Sequence, residues 1–154
     1  MGLVADDFDV PLELDGGWCR LRPLAVADNE RDFAAWQSSV EHIAATPGYA
    51  GRSWPVHSYG LEQNEADLAE HVADFAARRG FTYTVLSPDG TDTIGCVYVY
   101  PPEDGDPAVE AEVRSWVRAD HAARDPDLYA LVRAWIESRW PFSRFRYAER
   151  PGSG

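Results

Sequence analysis

One stretch constrains this chain more than any other: residues 111–136, AEVRSWVRADHAARDPDLYALVRAWI. It reads as a strand, a short polar loop and an amphipathic helix. Val113, Ser115 and Val117 fall on one face of the strand, with Glu112, Arg114 and Trp116 on the other. Leu128, Leu131, Val132, Trp135 and Ile136 follow the spacing of a single buried helical stripe. Asp125-Pro126-Asp127 marks the helix start, with Asp125 as the cap, Pro126 at the first helical position and Asp127 in the first turn. A strand that runs into a helix N-terminus is a common place to hold an anion. Whether this one does so decides most of what the chain can do.

The chain has 154 residues. That length suits one domain and suffices to bury about two thirds of the unfolded surface. Six Trp, seven Tyr and six Phe supply core material, which argues against disorder despite the charge. A formal charge of −12 argues against nucleic-acid phosphates and anionic membranes as partners. It favours a cationic or amine-bearing ligand, or serves solubility alone. Cys19 and Cys96 are far apart, each in an apolar strand pattern, and read as buried free thiols. No signal peptide and no long apolar run is present, so a soluble cytoplasmic protein is expected.

Residues 1–16 carry Asp6, Asp7, Asp9, Glu13 and Asp15 and read as an acidic N-terminal arm. A single domain follows over 17–148, and 149–154 read as a disordered tail. Within the domain, WCRLRPL at 18–24 is a first or edge strand. Asp28 caps a helix to about Ala44, with Phe33, Trp36, Val40 and Ile43 at helical spacing. Residues 46–60, TPGYAGRSWPVHSYG, hold too many breakers for regular structure. A second helix runs from Asn64 to Arg79 with the stripe Leu68, Val72, Phe75 and Ala76, and Gly80 ends it. FTYTVL at 81–86, the turn Ser87-Pro88-Asp89-Gly90 and TIGCVYVY at 93–100 form a hairpin. After the helix of the opening stretch, residues 145–148 make one last strand. Strand, two helices, three strands, helix and strand give an α+β class around one sheet.

LRPLAVAD at 21–28, IGCVYVYPP at 94–102 and AEVRSWV at 111–117 entering a loop and helix together resemble the GNAT superfamily of N-acetyltransferases. The resemblance covers roughly residues 17–147 and rests on element order and loosely patterned strands. It implies a GNAT-like (acyl-CoA N-acyltransferase) fold with a mixed, mostly antiparallel sheet flanked by helices. It also implies acetyl-CoA as cofactor, with pantetheine pairing along the backbone of Ser115, Trp116, Val117 and Arg118. The pyrophosphate would then lie at Ala122, Ala123, Arg124 and Asp125.

The family's pyrophosphate loop is normally of the type Arg/Gln-x-x-Gly-x-Gly/Ala, whose glycines let the backbone approach the phosphates. Here the loop HAARDPD at 121–127 has no glycine. Pro126 removes an amide, and two aspartates bring negative charge to the anion site. Family domains also continue with a further helix and two strands, whereas this sequence ends at Gly154.

For catalysis the resemblance points to Glu112, beside Glu110, as a carboxylate that takes a proton from an amine. A carboxylate paired with Arg114 is the alternative. Tyr100 is the second catalytic candidate; it shares a face with Tyr98, and the two line a pocket or else serve as core aromatics. Tyr49, Trp54 and Tyr59 form a lid over a ligand, or a loop packed down on the sheet. His71 falls on the helix surface, and His42, His57 and His121 have no metal-ligand spacing, so no metal is expected. The implied function is transfer of an acetyl group from acetyl-CoA to a small amine. The alternatives are a degenerate, non-catalytic member that binds another ligand or a protein partner, and a dimer-forming interaction domain. The aromatic residues of WPFSRFRY at 140–147 argue for a homodimer covering the last sheet edge.

Overall fold

Short β-branched and aromatic runs place six strands in one sheet whose spatial order is the order of the chain. The computed structural model describes residues 2–151. The elements are β1 (Leu14–Asp15), β2 (Arg20–Pro23), α1 (Asn29–Gln37), α2 (Val40–Ala44), α3 (Leu61–Ala76), β3 (Phe81–Leu86), β4 (Thr93–Tyr100), β5 (Ala111–Val117), α4 (Asp125–Arg139) and β6 (Phe145–Tyr147). Neighbouring strands from β1 to β5 are antiparallel, and β5 pairs with β6 in parallel. A parallel pair needs a crossover, and α4 supplies it. The architecture is α+β with a mixed, mostly antiparallel sheet, as the element order implies.

The hairpin between β3 and β4 turns at Ser87–Gly90, where Gly90 has φ 77° and its N–H donates to Ser87 O. That positive φ is open to glycine at no steric cost. Gly95 serves a different purpose: a Cβ there would stand 2.1 Å from Trp116 O, so β4 and β5 approach too closely for a side chain.

One sheet face is covered by α4. Leu128, Val132 and Ile136 are fully buried and Trp135 nearly so, in one cluster with Val113 and Val117. Each such burial contributes about 1.5–3 kcal/mol. Leu131, expected in the same stripe, is only half-buried. The other face carries Trp36, Ile43, Cys96 and Trp116, with Trp54 and Tyr59 packed against them. Cys19 and Cys96 are both buried free thiols, and burial pushes the Cys19 thiol up to about 11. Among the described residues no helix is long and apolar enough to cross a membrane.

Several expectations are corrected here. The helix read from Asp28 to Ala44 is two helices, broken at Ser38 and Ser39, whose hydroxyls compete with the helical ladder. Ser38 Oγ donates to Ala35 O, and Ser39 Oγ accepts the N–H of Ala119 at 2.8 Å. The second helix starts at Leu61 rather than Asn64, with Gln63 Oε1 accepting the Gly60 N–H. Its inward face is Asn64, Asp67, Leu68, His71 and Phe75, while Val72 is 37% exposed.

The acidic arm is held against the domain by hydrogen bonds. Leu3 N–H donates to Arg78 O, the Arg78 guanidinium donates to Ala5 O and Phe8 O, and Tyr83 OH donates to Pro11 O. The tail is also held as far as it is described, because Arg150 is buried. Residues 152–154 of that tail lie outside the described residues. Trp140, Phe142 and Tyr147 of the WPFSRFRY run are buried in the chain's own core. Phe145, the fourth aromatic of that run, is half-buried.

Candidate functional site

β5 is the strand on which two distinct places meet. β6 pairs with it only at Ala111, Glu112 and Val113, opposite Phe145, Arg146 and Tyr147. β6 ends at Tyr147, opposite Val113, and in the gap that this leaves beside the rest of β5 lies the Arg150 side chain. Its Nη2 donates to Ser115 O at 2.9 Å and to Ser115 Oγ at 3.2 Å. Nη1 donates to Ala148 O and Pro47 O, and Nε donates to Asp125 Oδ2 at 2.7 Å. The Arg150 side chain is 1% exposed and lies over the rings of Tyr129 and Tyr147. Tyr147 OH shares a further hydrogen bond with Ser115 Oγ.

The residues expected at the pyrophosphate are arranged otherwise. Residues Ala119–Arg124 form a 3-10 turn that leads straight into α4, so Asp125 is the first residue of the helix and not its cap. Ala122 and Ala123 are exposed on this turn. Arg118 donates to Asp92, Asp120 and Thr93 O. Arg124 pairs with Asp127 and lies over the Trp18 ring. Trp116 and Val117 are fully buried, and the Trp116 indole donates to Tyr98 OH. Glu112 accepts from Arg114 at 2.7 Å and from Arg146 at 3.4 Å, an arginine-paired carboxylate.

On the opposite side of β5, α1, α3, β4 and the 46–60 loop enclose a cavity of 280 Å³. Tyr49 and Trp54 from the loop line it, and Tyr59 of the same loop packs on Trp36 and donates to Asp67. The loop therefore supplies walls as well as packing. At one end Arg52 and Arg114 meet Glu103. At the other lie Asp32, Asp67 and His71.

Asp32 is 4% exposed, yet no lysine or arginine pairs with it among the described residues. Its hydrogen-bond partner is the Asn64 amide, at 3.1 Å. That amide is itself fixed, because Asn64 also donates to Asn29 Oδ1 and accepts from the Trp36 indole. Burial pushes the Asp32 carboxyl up to about 6, Asn64 opposes the shift, and Asp28 and Asp67 add to it. A buried carboxylate without a cation is costly, so the group is poised to gain one.

Tyr100 enters a relay. Its hydroxyl donates to Asp74 Oδ2 at 2.8 Å and lies 2.9 Å from His71 Nδ1. A hydroxyl has one proton to give, so His71 Nδ1 carries the hydrogen and Nε2 keeps its lone pair. Burial holds the His71 pKa below the ordinary histidine range, against the pull of Asp67 and Asp74. The imidazole is thus neutral at neutral pH. His71, expected on the helix surface, is half-buried and lines the cavity, and Asp32, Asn64 and Asp67 were not assigned to a site from sequence. The available signal was polar residues at i, i+3 and i+7 on a helix face that also carries Leu68.

No family model matches the sequence, and no curated protein does. Solved structures do match in shape. A protein described as a GNAT-family acetyltransferase from Bordetella pertussis superposes with a TM-score of 0.60 at 18% identity, over 83% of this chain and 74% of its own. The ribosomal-protein-S5-alanine acetyltransferase of Vibrio fischeri gives 0.62 at 14% identity, over 83% of this chain and 67% of its own. The microcin C7 self-immunity acetyltransferase, in complex with acetyl-CoA and AMP, gives 0.58 at 12% identity, over 84% and 69%. The chain has the GNAT fold.

In a GNAT fold the gap beyond Val113 is where the resemblance places pantetheine. As they stand, these residues do not fit acetyl-CoA. The Ser115 carbonyl accepts from Arg150, and the Ala119 N–H donates to Ser39. Arg118 is committed to two aspartates, and the helix start presents Asp125, Pro126 and Asp127 to a diphosphate. The cavity at Asp32 is differently endowed: it is aromatic, and its two arginines, Arg52 and Arg114, lie at the far end against Glu103.

Proposed function

We propose that this GNAT-fold domain binds a small organic cation, a protonated amine, in the cavity lined by Asp32, Asp67 and His71. The observation that carries the reading is Asp32, a buried carboxylate with no cationic partner among the described residues and an aromatic cavity in front of it. Trp54, Tyr98 and Tyr100 line the cavity, and a cation seated over an aromatic face gains about 0.5–2 kcal/mol. The net charge of −12 raises the local concentration of cations in the same sense.

The test is calorimetry with butylammonium and phenylethylammonium, and with N-butylacetamide as the uncharged control. Binding of the amines but not the amide is expected. Asp32→Asn should weaken it by about 2–5 kcal/mol, the range for truncating one partner of a buried charge pair. Equal binding of the amide, or unaltered binding by Asp32→Asn, would refute the reading.

A second reading is acetyl transfer from acetyl-CoA to that amine. It is supported by the solved neighbours, which are acetyltransferases, and by one of them being held with acetyl-CoA and AMP. Tyr100, on the cavity wall, is the residue of the expected catalytic pair that would meet the amine, whereas Glu112 is held by arginines. Release of free CoA thiol in the presence of a bound amine distinguishes this reading from binding alone.

A further inference from the structure

The Arg150 side chain supplies, from within the chain, the contacts that a GNAT fold reserves for its cofactor. Nη2 stands where a strand-pairing amide donor would stand on Ser115 O, at 2.9 Å. The carboxylate of Asp125 provides a negative charge in the first turn of α4, where a diphosphate would otherwise be attracted. A 2.7 Å ion pair, with side chains 1% and 13% exposed, joins the two. Pro47 O and Ala148 O hold the guanidinium from the 46–60 loop and from the segment after β6.

We infer that the Arg150–Asp125 pair is an internal occupant of the gap between β5 and β6, and that it excludes acyl-CoA. Any such ligand would have to break this pair, remove Arg150 from Ser115 and then meet Asp125 and Asp127 with its own negative charge. All three events oppose binding. The inference stands apart from the amine reading, because it rests on Arg150, Asp125 and Ser115, none of which lines the Asp32 cavity.

The experiment is calorimetric titration of acetyl-CoA, without amine, into the wild-type chain, Arg150→Gln and Asp125→Asn, each checked for folding by circular dichroism. Wild type should show no binding up to millimolar acetyl-CoA. Each folded variant should bind at least about tenfold more tightly than wild type, a difference of about 1.4 kcal/mol. Low-micromolar binding by the wild type overturns the inference and needs no variant. Folded variants that bind no better than wild type also overturn it, since the exclusion would then lie elsewhere. Asp125→Asn keeps the shape of the side chain, so a folding failure of Arg150→Gln still leaves a decisive variant. Amine binding is unchanged in every arm if the two sites are independent.

Discussion

The Asn64 amide donates to Asp32 Oδ2 at 3.1 Å, and no cation stands behind the carboxylate among the described residues. Asp32 is therefore strained in its ionised form. Its carboxyl is raised from an ordinary 3.8 to about 6, so the folded state holds a proton that the unfolded chain has already released. Below about pH 4 both states are protonated and the group is neutral in stability. Between about pH 4 and 6 stability falls as pH rises, and above that window the loss is complete. Asp32→Asn should remove this slope and stabilise the apo protein near neutral pH by about 1–3 kcal/mol. Urea unfolding of both proteins across that range checks it. A less stable Asp32→Asn protein at neutral pH would mean that the carboxylate has a counter-charge.

His71 offers a test of the relay that involves no ligand. Free neutral imidazole favours the hydrogen on Nε2, but here the Tyr100 O–H donates to Asp74 and leaves Nδ1 as the donor to Tyr100. Nitrogen-15 NMR should find Nδ1 protonated in the wild type at neutral pH. Tyr100→Phe should return the ring toward the Nε2–H form. An Nε2–H ring in the wild type would remove the basis for an Nδ1–H donor to Tyr100.

Gly80 controls where Tyr100 sits. A Cβ at residue 80 would lie 2.2 Å from Tyr100 Cε2, an overlap that the ring can relieve only by moving. Gly80→Ala should cost about 1–3 kcal/mol as an overpacked contact. It should also abolish the Nδ1–H signature of His71 by displacing the hydroxyl. Retention of both the stability and the NMR signature would show that the ring is not held as described.

The parts legible from sequence are those whose burial is apolar. Val113 and Val117 against Leu128, Val132, Trp135 and Ile136 were readable because period and hydrophobicity agree there. The inward face of α3 was not readable, because Asn64, Asp67 and His71 occupy it and a search for apolar stripes selects Val72 and Ala76 instead. Arg150 was unreadable for a related reason. A charged residue in a Pro/Gly/Ser-rich segment reads as solvated, and its partners Asp125, Pro47 and Ser115 lie 25, 103 and 35 residues away. Asp125 was assigned to a helix cap on local grounds, and a distant ion pair replaced that role. Polar burial depends on partners that periodicity does not encode.

The Arg150–Asp125 pair yields the last prediction, one of stability alone. With side chains 1% and 13% exposed, little solvent screens the pair. Arg150→Ala leaves the Asp125 carboxylate without its cation, while Oδ1 has no hydrogen-bond partner among the described residues. Removing one member of a buried pair costs about 3–5 kcal/mol. Asp125→Asn should cost less, about 1–3 kcal/mol, because Arg150 keeps the carbonyls of Ser115, Pro47 and Ala148. The double variant should then fall short of the sum of the singles by about 0.5–3 kcal/mol. Chemical denaturation of the four proteins measures the cycle. A cost below about 0.5 kcal/mol for Arg150→Ala, the range of an ordinary surface substitution, would place the guanidinium outside the gap.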